Sequence, residues 1–243
     1  MVRCGLEAGC VPEALFVAAE ARGTGDVEAL IAATLGAGSR VYTLGRGVAE
    51  RVADTVTAQA VSAIFPMTDV ELGSLPVPTL AIVCVDVRDP GNAGTVLRTA
   101  DAAGADVVIC CAGTVDVFNP KTVRSSAGSI FHVPVVVSTE VEPPIAWLRS
   151  GGVTVYGTAA TGTDYAALDL TQPSAFVLGN ESAGLSEGLL DSLGHTVAIP
   201  MGGRAESLNV GVACAVLCFE AQRQRRAQRA ATPPPTGGVG PAA

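Results

Sequence analysis

Several features that would settle a protein's class early are missing from this chain. No run of about eighteen apolar residues occurs, so neither a transmembrane helix nor a membrane partner is expected. The opening, Met1 to Glu7, lacks the continuous apolar stretch of a secretory signal. Lysine occurs once, at Lys121, and arginine supplies the rest of the positive charge. With 23 acidic against 15 basic side chains, the formal charge of −8 argues against indiscriminate nucleic-acid binding. It leaves room for a local basic site, because only charge facing the phosphates counts. The seven cysteines contain no C-x-x-C, and the adjacent pair Cys110-Cys111 matches no common zinc spacing. Cys84, Cys110 and Cys111 fall in apolar, strand-like runs, as reduced thiols of a cytoplasmic protein do, and no metal is expected. No G-x-G-x-x-G follows the first strand of either region, which disfavours a nicotinamide-dinucleotide enzyme.

What is present is a globular chain of 243 residues, 49% hydrophobic and 16% charged, long enough for one large domain or two smaller ones. Residues 14–17, 40–44 and 60–65 read as strands, with helices over 26–37 and 48–56. Residues 66–78, with Pro66, Gly73, Pro76 and Pro78, form a turn-rich connector. Beyond it, short Val/Ile-rich runs at 79–86, 106–111, 133–137, 153–157, 175–179 and 196–199 alternate with helical segments at 91–103, 119–127, 143–149, 185–193 and 205–229. Strands of this kind, buried on both faces, predict a doubly wound parallel α/β domain. The Pro/Gly-rich sequence after Ala231 is expected to be disordered.

Three strand ends carry polar residues on glycine-rich turns. The first runs from Val85 to Gly104, with a helix expected to start near Asn92 as its cap. Arg98 lies over Gly91, Gly94 and Thr95, a bare surface that would let it reach the strand edge. The second, Phe176 to Ser186, brackets Glu181 between Gly179 and Gly184. Read blandly, Glu181 and Ser182 only cap a helix at 185. The third enters a Pro200-Met201-Gly202-Gly203 turn before a helix beginning with Glu206, Ser207 and Asn209. An ordinary turn or cap covers the first and third, and for the second it explains Ser182 but not the whole string. Three in one parallel domain would meet on a single rim, at the strand ends where α/β ligands bind.

These strings resemble the three signature motifs of the SpoU/TrmH family of the SPOUT class: N-x-G-x-x-x-R-T-A-x-A-x-G, L-G-x-E-x-x-G-L and I-P-M-x-G-x-x-x-S-L-N-V. The resemblance covers residues 79 to about 222. More weakly, residues 1–66 resemble the small αβα RNA-binding domain of the family's rRNA-modifying members, on Leu6-x-x-Gly9, Leu15-Phe16-Val17, Val48 and Asp54-Thr55-x-Thr57-x-Gln59. The family's opening strand has no counterpart, so the chain is expected to start late. The domains implied are 1–66 for RNA binding, a linker at 67–78, the methyltransferase at 79–230 and a disordered tail at 231–243.

The resemblance implies a homodimer with a trefoil knot that transfers a methyl group from S-adenosylmethionine to an RNA ribose 2′-hydroxyl, with large-subunit rRNA favoured. A link to resistance against ribosome-targeting antibiotics stays open. It places the cofactor at Thr158, Ala159, Leu178, Gly179, Ile199, Met201, Ser207, Leu208 and Asn209. Asn92, Arg98, Glu181, Ser207 and Asn209 match the family's polar active-site positions, and Lys121, Arg124 and Ser125 lie where it holds target phosphates. His132 and His195 sit at strand starts, away from the motif loops, so neither is expected to be the base. A guanidinium stays protonated, so Arg98 is read as a cationic clamp held by Glu181 (or with Glu181 shaping the loop), phosphate or water taking the proton. The dimer contact is expected along Val210, Ala213, Cys214, Leu217 and Cys218, although a core-facing helix would carry the same stripe. A tRNA ribose methyltransferase and a non-catalytic RNA-binding module are the alternatives.

Overall fold

A computed structural model describes residues 1–52 and 59–231. The Asp54-Thr55-x-Thr57 part of the N-terminal pattern, the end of the helix expected to reach residue 56, and the tail after Ala231 lie outside the described residues.

The chain opens with an element the sequence reading did not anticipate, helix α1 (Val2–Glu7). Strand β1 (Ala14–Ala18), helix α2 (Gly25–Gly36), β2 (Arg40–Leu44), the short helix α3 (Val48–Val52) and β3 (Val61–Ile64) follow. β1 is central in this sheet, parallel to β2 and antiparallel to β3. Alternation along β1 sends Leu15 and Val17 onto Val27 and Ile31 of α2, a small separate core. Gly5 of α1 lies beneath Phe65 and Phe131. A Cβ there would come within 2.7 Å of the first ring and 3.3 Å of the second, and the two rings themselves pack at 4.8 Å.

The second sheet contains β4 (Leu80–Cys84), β5 (Val107–Cys110), β6 (Val135–Val137), β7 (Thr154–Asp164), β8 (Ser174–Leu178) and β9 (Thr196–Ala198). Its order is β6-β5-β4-β8-β7-β9 and every pairing is parallel, as expected from the uninterrupted apolar runs. Period-two alternation divides each strand between two cores. Leu80, Ile82 and Cys84 face the side covered by α4 (Pro90–Ala103), α5 (Pro120–Ser125) and α8 (Val210–Ala231). Ala81 and Val83 face the side covered by α6 (Glu142–Ser150) and α7 (Glu187–Leu193). The connector adds a short parallel bridge, Asp69 to Val135, to the β6 edge. No described helix is long and apolar enough to cross a membrane.

The structure moves several expected boundaries. α4 begins at Pro90, not Asn92; its cap is Asp89, whose side chain accepts from the Asn92 N–H at 2.9 Å. Asp fills the cap and Pro, with its fixed φ and missing N–H, the first helical position. The cap of α7 is Ser186, not Glu181 or Ser182. β7 runs on past its expected end through a register shift between Thr158 and Thr163 to pair again with β9. α8 begins at Val210, not 205: Asn209 Oδ1 accepts from the N–H groups of Gly211 (2.9 Å) and Val212 (3.3 Å), leaving Glu206 and Ser207 in the preceding loop.

The stripe expected at a dimer contact is the other correction. Val210, Cys214, Leu217 and Cys218 are at most 9% exposed and fill the chain's own core, with Ala213 half-buried beside them. The face turned outward carries Val212 and Phe219, 47% and 44% exposed. Hydrophobic spacing alone does not say which apolar surface a helix meets.

The C-terminal half of α8 is locked to the sheet's lower edge. Arg225 Nε donates to the Leu170 carbonyl at 2.9 Å, and its Nη2 reaches those of Thr79 (2.8 Å) and Gln172 (3.0 Å). Gln224 accepts from the Leu170 N–H at 2.9 Å and donates to the Leu168 carbonyl at 3.0 Å. Arg225→Ala leaves three carbonyls without this donor and is expected to lower stability by about 2–3 kcal/mol, read from the urea midpoint. An unchanged midpoint would show that the clamp is dispensable.

Candidate functional site

The chain passes from β4 outward to β6, then crosses to the far side for β7 and β9, so loops diverge above the junction of β4 with β8. Such a switch point opens a crevice at the strand ends. Glu181 stands there, just beyond β8. Its carboxylate accepts from the Arg88 N–H (3.2 Å), the Asp89 N–H (3.0 Å) and Asn92 Nδ2 (3.0 Å). Partial burial pushes its pKa up, but bonds from Asn92, from Asp89, from its own backbone and from Arg88 outweigh that, and the net direction is down. The group is therefore an anion at neutral pH and holds the loops together in that form. Because the shift is downward, this contribution is present above the ordinary carboxylate range and is lost only as acid protonates the folded form.

The two asparagines complete a relay across all three polar strings. Asn209 Oδ1 is fixed by the α8 amides, which turns Nδ2 toward Asn92 Oδ1 at 2.8 Å. Asn92 must then present its own Nδ2 to Glu181, and it does. Each amide has one acceptor and one donor end, so a single consistent orientation satisfies the set. Residues 117 and 89 positions apart in sequence are joined this way.

Next to the relay is a cavity of about 380 Å³ between the ends of β7, β8 and β9 and the start of α8. Thr158, Ala159, Leu178, Gly179, Ile199, Met201, Ser207 and Leu208 all line it, as does Glu181. Asn209, assigned to both groups from the sequence, caps α8 and bonds Asn92 and is not among the lining residues. Asn180 is the residue that sequence reasoning missed. Its side-chain oxygen accepts from the Ser182 and Ala183 N–H groups at 3.0 Å each, and its backbone bridges to Gly184, shaping the floor. An Asn two residues before a small-residue pair is an Asx-turn signal that could have found it. The apolar side chains among the lining suit a flat heteroaromatic ring, and the volume falls in the small-ligand range.

Arg98 is exposed on α4 and makes no hydrogen bond or ion pair among the described residues. Glu181 does not hold it, because the Glu181 carboxylate is already occupied by Arg88, Asp89 and Asn92. Nor is the surface beneath it bare: a Cβ on Gly94 would lie 2.4 Å from Ser125 Cβ of α5, and Thr95 approaches Gly211 of α8. The small residues serve close helix packing, which wedges α4 between α5 and α8. Lys121 and Arg124 are exposed on α5. Lys121 Nζ lies 3.7 Å from Asp89, and Ser125 Oγ donates to the Lys121 carbonyl at 2.5 Å.

Comparison with known proteins agrees with this geometry. The model of the SpoU rRNA Methylase family matches residues 79–219. The 23S rRNA guanosine 2′-O-methyltransferase RlmP of Bacillus subtilis (strain 168) is 39% identical over 194 residues, 79% of this chain and 76% of that protein. A 23S rRNA uridine 2′-O-methyltransferase of Streptomyces viridochromogenes is 38% identical over 72% of this chain, which spans 63% of that enzyme. The crystal structure of an AdoMet-bound rRNA methyltransferase from Sinorhizobium meliloti superposes with a TM-score of 0.82 at 34% identity, covering 91% of this chain and 84% of that one. With its three motif loops joined through Asn209, Asn92 and Glu181 beside the cavity, the chain belongs to the SpoU rRNA methylase family.

Proposed function

We propose that this protein methylates a ribose 2′-hydroxyl of large-subunit rRNA in the cytoplasm, with S-adenosylmethionine held in the cavity between β7, β8, β9 and α8. The observation that carries the reading is the Asn209–Asn92–Glu181 relay closing one edge of an apolar, glycine-floored cavity. Leu178, Ile199, Met201 and Leu208 would wall the adenosine, and Gly179 lets the backbone approach it. When bound, S-adenosylmethionine supplies an electrophilic methyl group. The chain's own residues have to hold the RNA and stabilise the oxygen as it loses its proton. Arg98, exposed and unpaired among the described residues, is a free cation for a target phosphate and the developing alkoxide. Asn92 and Asn209 orient, Glu181 fixes the loops, and Ser207 lines the entrance. His132 is engaged with Asp101 at 3.0 Å and His195 precedes β9, at the opposite strand ends, so phosphate or water takes the proton.

Lys121, Arg124 and Ser125 on α5 extend the basic surface for neighbouring phosphates, and residues 1–66 serve as an added RNA-binding unit ahead of the catalytic domain at 79–230. A homodimer through the outward face of α8, with Val212 and Phe219 at its centre, replaces the stripe expected from the sequence. A monomer in light scattering at micromolar concentration would remove that contact. The test of the function is a map of 2′-O-methylation across rRNA and tRNA from cells with and without the gene. Loss of a ribose methyl in large-subunit rRNA is expected; loss confined to tRNA would overturn the substrate.

A further inference from the structure

Arg88 stands beside the relay, outside the cavity lining, and none of the three motifs includes it. Its backbone N–H is fixed on Glu181, while its side chain, 72% exposed, turns the other way. There its Nε donates to Asp86 Oδ1 at 2.7 Å. Neither Nη group makes a hydrogen bond among the described residues.

The residue that aims Arg88 is in an unusual conformation. Asp86 has φ +57°, one of two non-glycine residues with positive φ among those described. It is held there from three sides. Asn180 Nδ2 donates to its carbonyl (3.0 Å), and its N–H donates to the Ala112 carbonyl (3.2 Å). Gly113, at φ +80°, leaves room for its carboxylate, since a Cβ on Gly113 would lie 2.5 Å from Asp86 Oδ1. A left-handed backbone is disfavoured for a residue with a Cβ, although Asp and Asn tolerate it better than most. An ion pair as exposed as this one adds little stability. The backbone bonds to Asn180 and Ala112 hold the conformation, and the exposed pair adds little to that. Strain kept by the surrounding structure points to use.

What the arrangement produces is a guanidinium pinned along its Nε edge with two Nη groups presented to solvent, the geometry that matches two oxygens of a phosphate. Lys121 of α5, its Nζ 3.7 Å from Asp89, adds a second cation next to this loop. We propose that Arg88 is an RNA-binding residue that clamps a phosphate beside the target ribose, with Asp86 as the positioning residue that sets its direction. This rests on the RNA methyltransferase reading above.

The experiment measures initial rates of tritiated methyl transfer from S-adenosylmethionine to transcribed large-subunit rRNA and to ribosomal particles, at several salt concentrations. Arg88→Ala is expected to raise the KM for RNA about ten-fold and to flatten the log–log salt dependence by about one, the signature of a lost phosphate contact. The kcat and the affinity for S-adenosylmethionine, by calorimetry, stay within about three-fold because the variant keeps the backbone bond to Glu181. Arg88→Lys keeps the salt slope but not the KM, since an ammonium has no fork. Asp86→Asn, which tolerates the same backbone, raises the KM in the same direction by a smaller factor. Transfer by the wild-type chain with Arg88→Ala unchanged in KM and salt slope would overturn the assignment alone. So would a parallel loss of cofactor affinity, which would make Arg88 part of the cavity's scaffold. No transfer by the wild-type chain to either substrate would overturn the parent reading and this one with it.

Discussion

Arg98→Ala is expected to slow methyl transfer by about 10²–10³-fold, the loss typical of removing one preorganised donor from a developing oxyanion. Its affinity for S-adenosylmethionine should stay within about three-fold, because binding energy lost only at the reacting centre leaves ground-state binding alone. The structural grounds are specific. Arg98 stands one helical turn beyond Thr95 and two beyond Gly91, on the helix whose first turn carries Asn92. From Asn92 to Arg98 the rise is about 9 Å, and helical side chains lean back toward the N-terminus, so a long one recovers much of that distance. Arg88 is tied to Asp86, Lys121 lies 3.7 Å from Asp89, and Arg225 is spent on three carbonyls. Arg98 has no such partner among the described residues, so its charge is available to RNA. Its exposure also means that removing it leaves no cavity, so the fold should melt as the wild type does. Arg98→Lys should fail nearly as badly, since a point charge does not reproduce a planar fork. Single-turnover rates at saturating RNA decide the matter. Near-wild-type turnover in the alanine variant would remove Arg98 from the chemistry.

The central strands were legible in the sequence because they are buried on both faces and so have to be apolar throughout. Ile82-Val83-Cys84 or Phe176-Val177-Leu178 leaves little alternative once the run is too short for a helix. Helix starts were harder where two good caps compete. Asp89-Pro90 and Asn92 both qualify locally, and the missing N–H of proline decides for the former. The same dipeptide logic recurs at Asn119-Pro120, where the asparagine accepts from the Lys121 N–H at 2.9 Å. The stripe on α8 was legible as apolar but not as inward-facing, because that depends on what the rest of the chain leaves uncovered. Motif strings named Asn92, Glu181 and Asn209, whereas their mutual bonds were invisible. Such contacts are set by the order β6-β5-β4-β8-β7-β9, which local sequence does not contain. For the same reason sequence left Glu181 either holding Arg98 or shaping the loop, and the fold gives it two backbone amides and an asparagine, the second of these. The glycines show the limit from the other side. Gly94 reads as an open surface in sequence and proves to be the point where α5 touches α4.

Gly179→Ala is expected to abolish measurable binding of S-adenosylmethionine while the protein still folds. Gly179 follows the last residue of β8, in the cavity wall, where the chain turns back on itself through the Asn180–Gly184 bridge. A Cβ there would lie 2.5 Å from the Gly184 carbonyl carbon, 2.6 Å from the Leu185 nitrogen and 2.7 Å from the Gly184 oxygen. All three atoms are backbone, so no rotamer change relieves the contact, and the 180–184 loop must move as a piece. That loop cannot move quietly. Its Asn180 N–H to Gly184 carbonyl bond (3.2 Å) and the reverse bond (2.9 Å) define the floor, and Glu181 within it is tied to β4's loop and to Asn92. Shifting the loop outward closes or deforms the cavity and strains the relay together. Overpacking of this kind costs about 1–3 kcal/mol of stability, which a core of two well-filled layers survives. Calorimetry with S-adenosylmethionine reads the binding, and a thermal melt reads the fold. Wild-type affinity in the alanine variant would show that the loop floor lies away from the ligand and that the cavity between β7, β8, β9 and α8 is not where the cofactor sits. The contrast with Arg98→Ala is the useful one: one variant loses binding with the RNA-facing cation intact, the other loses transfer with binding intact. Together they separate the cofactor side of the crevice from the RNA side.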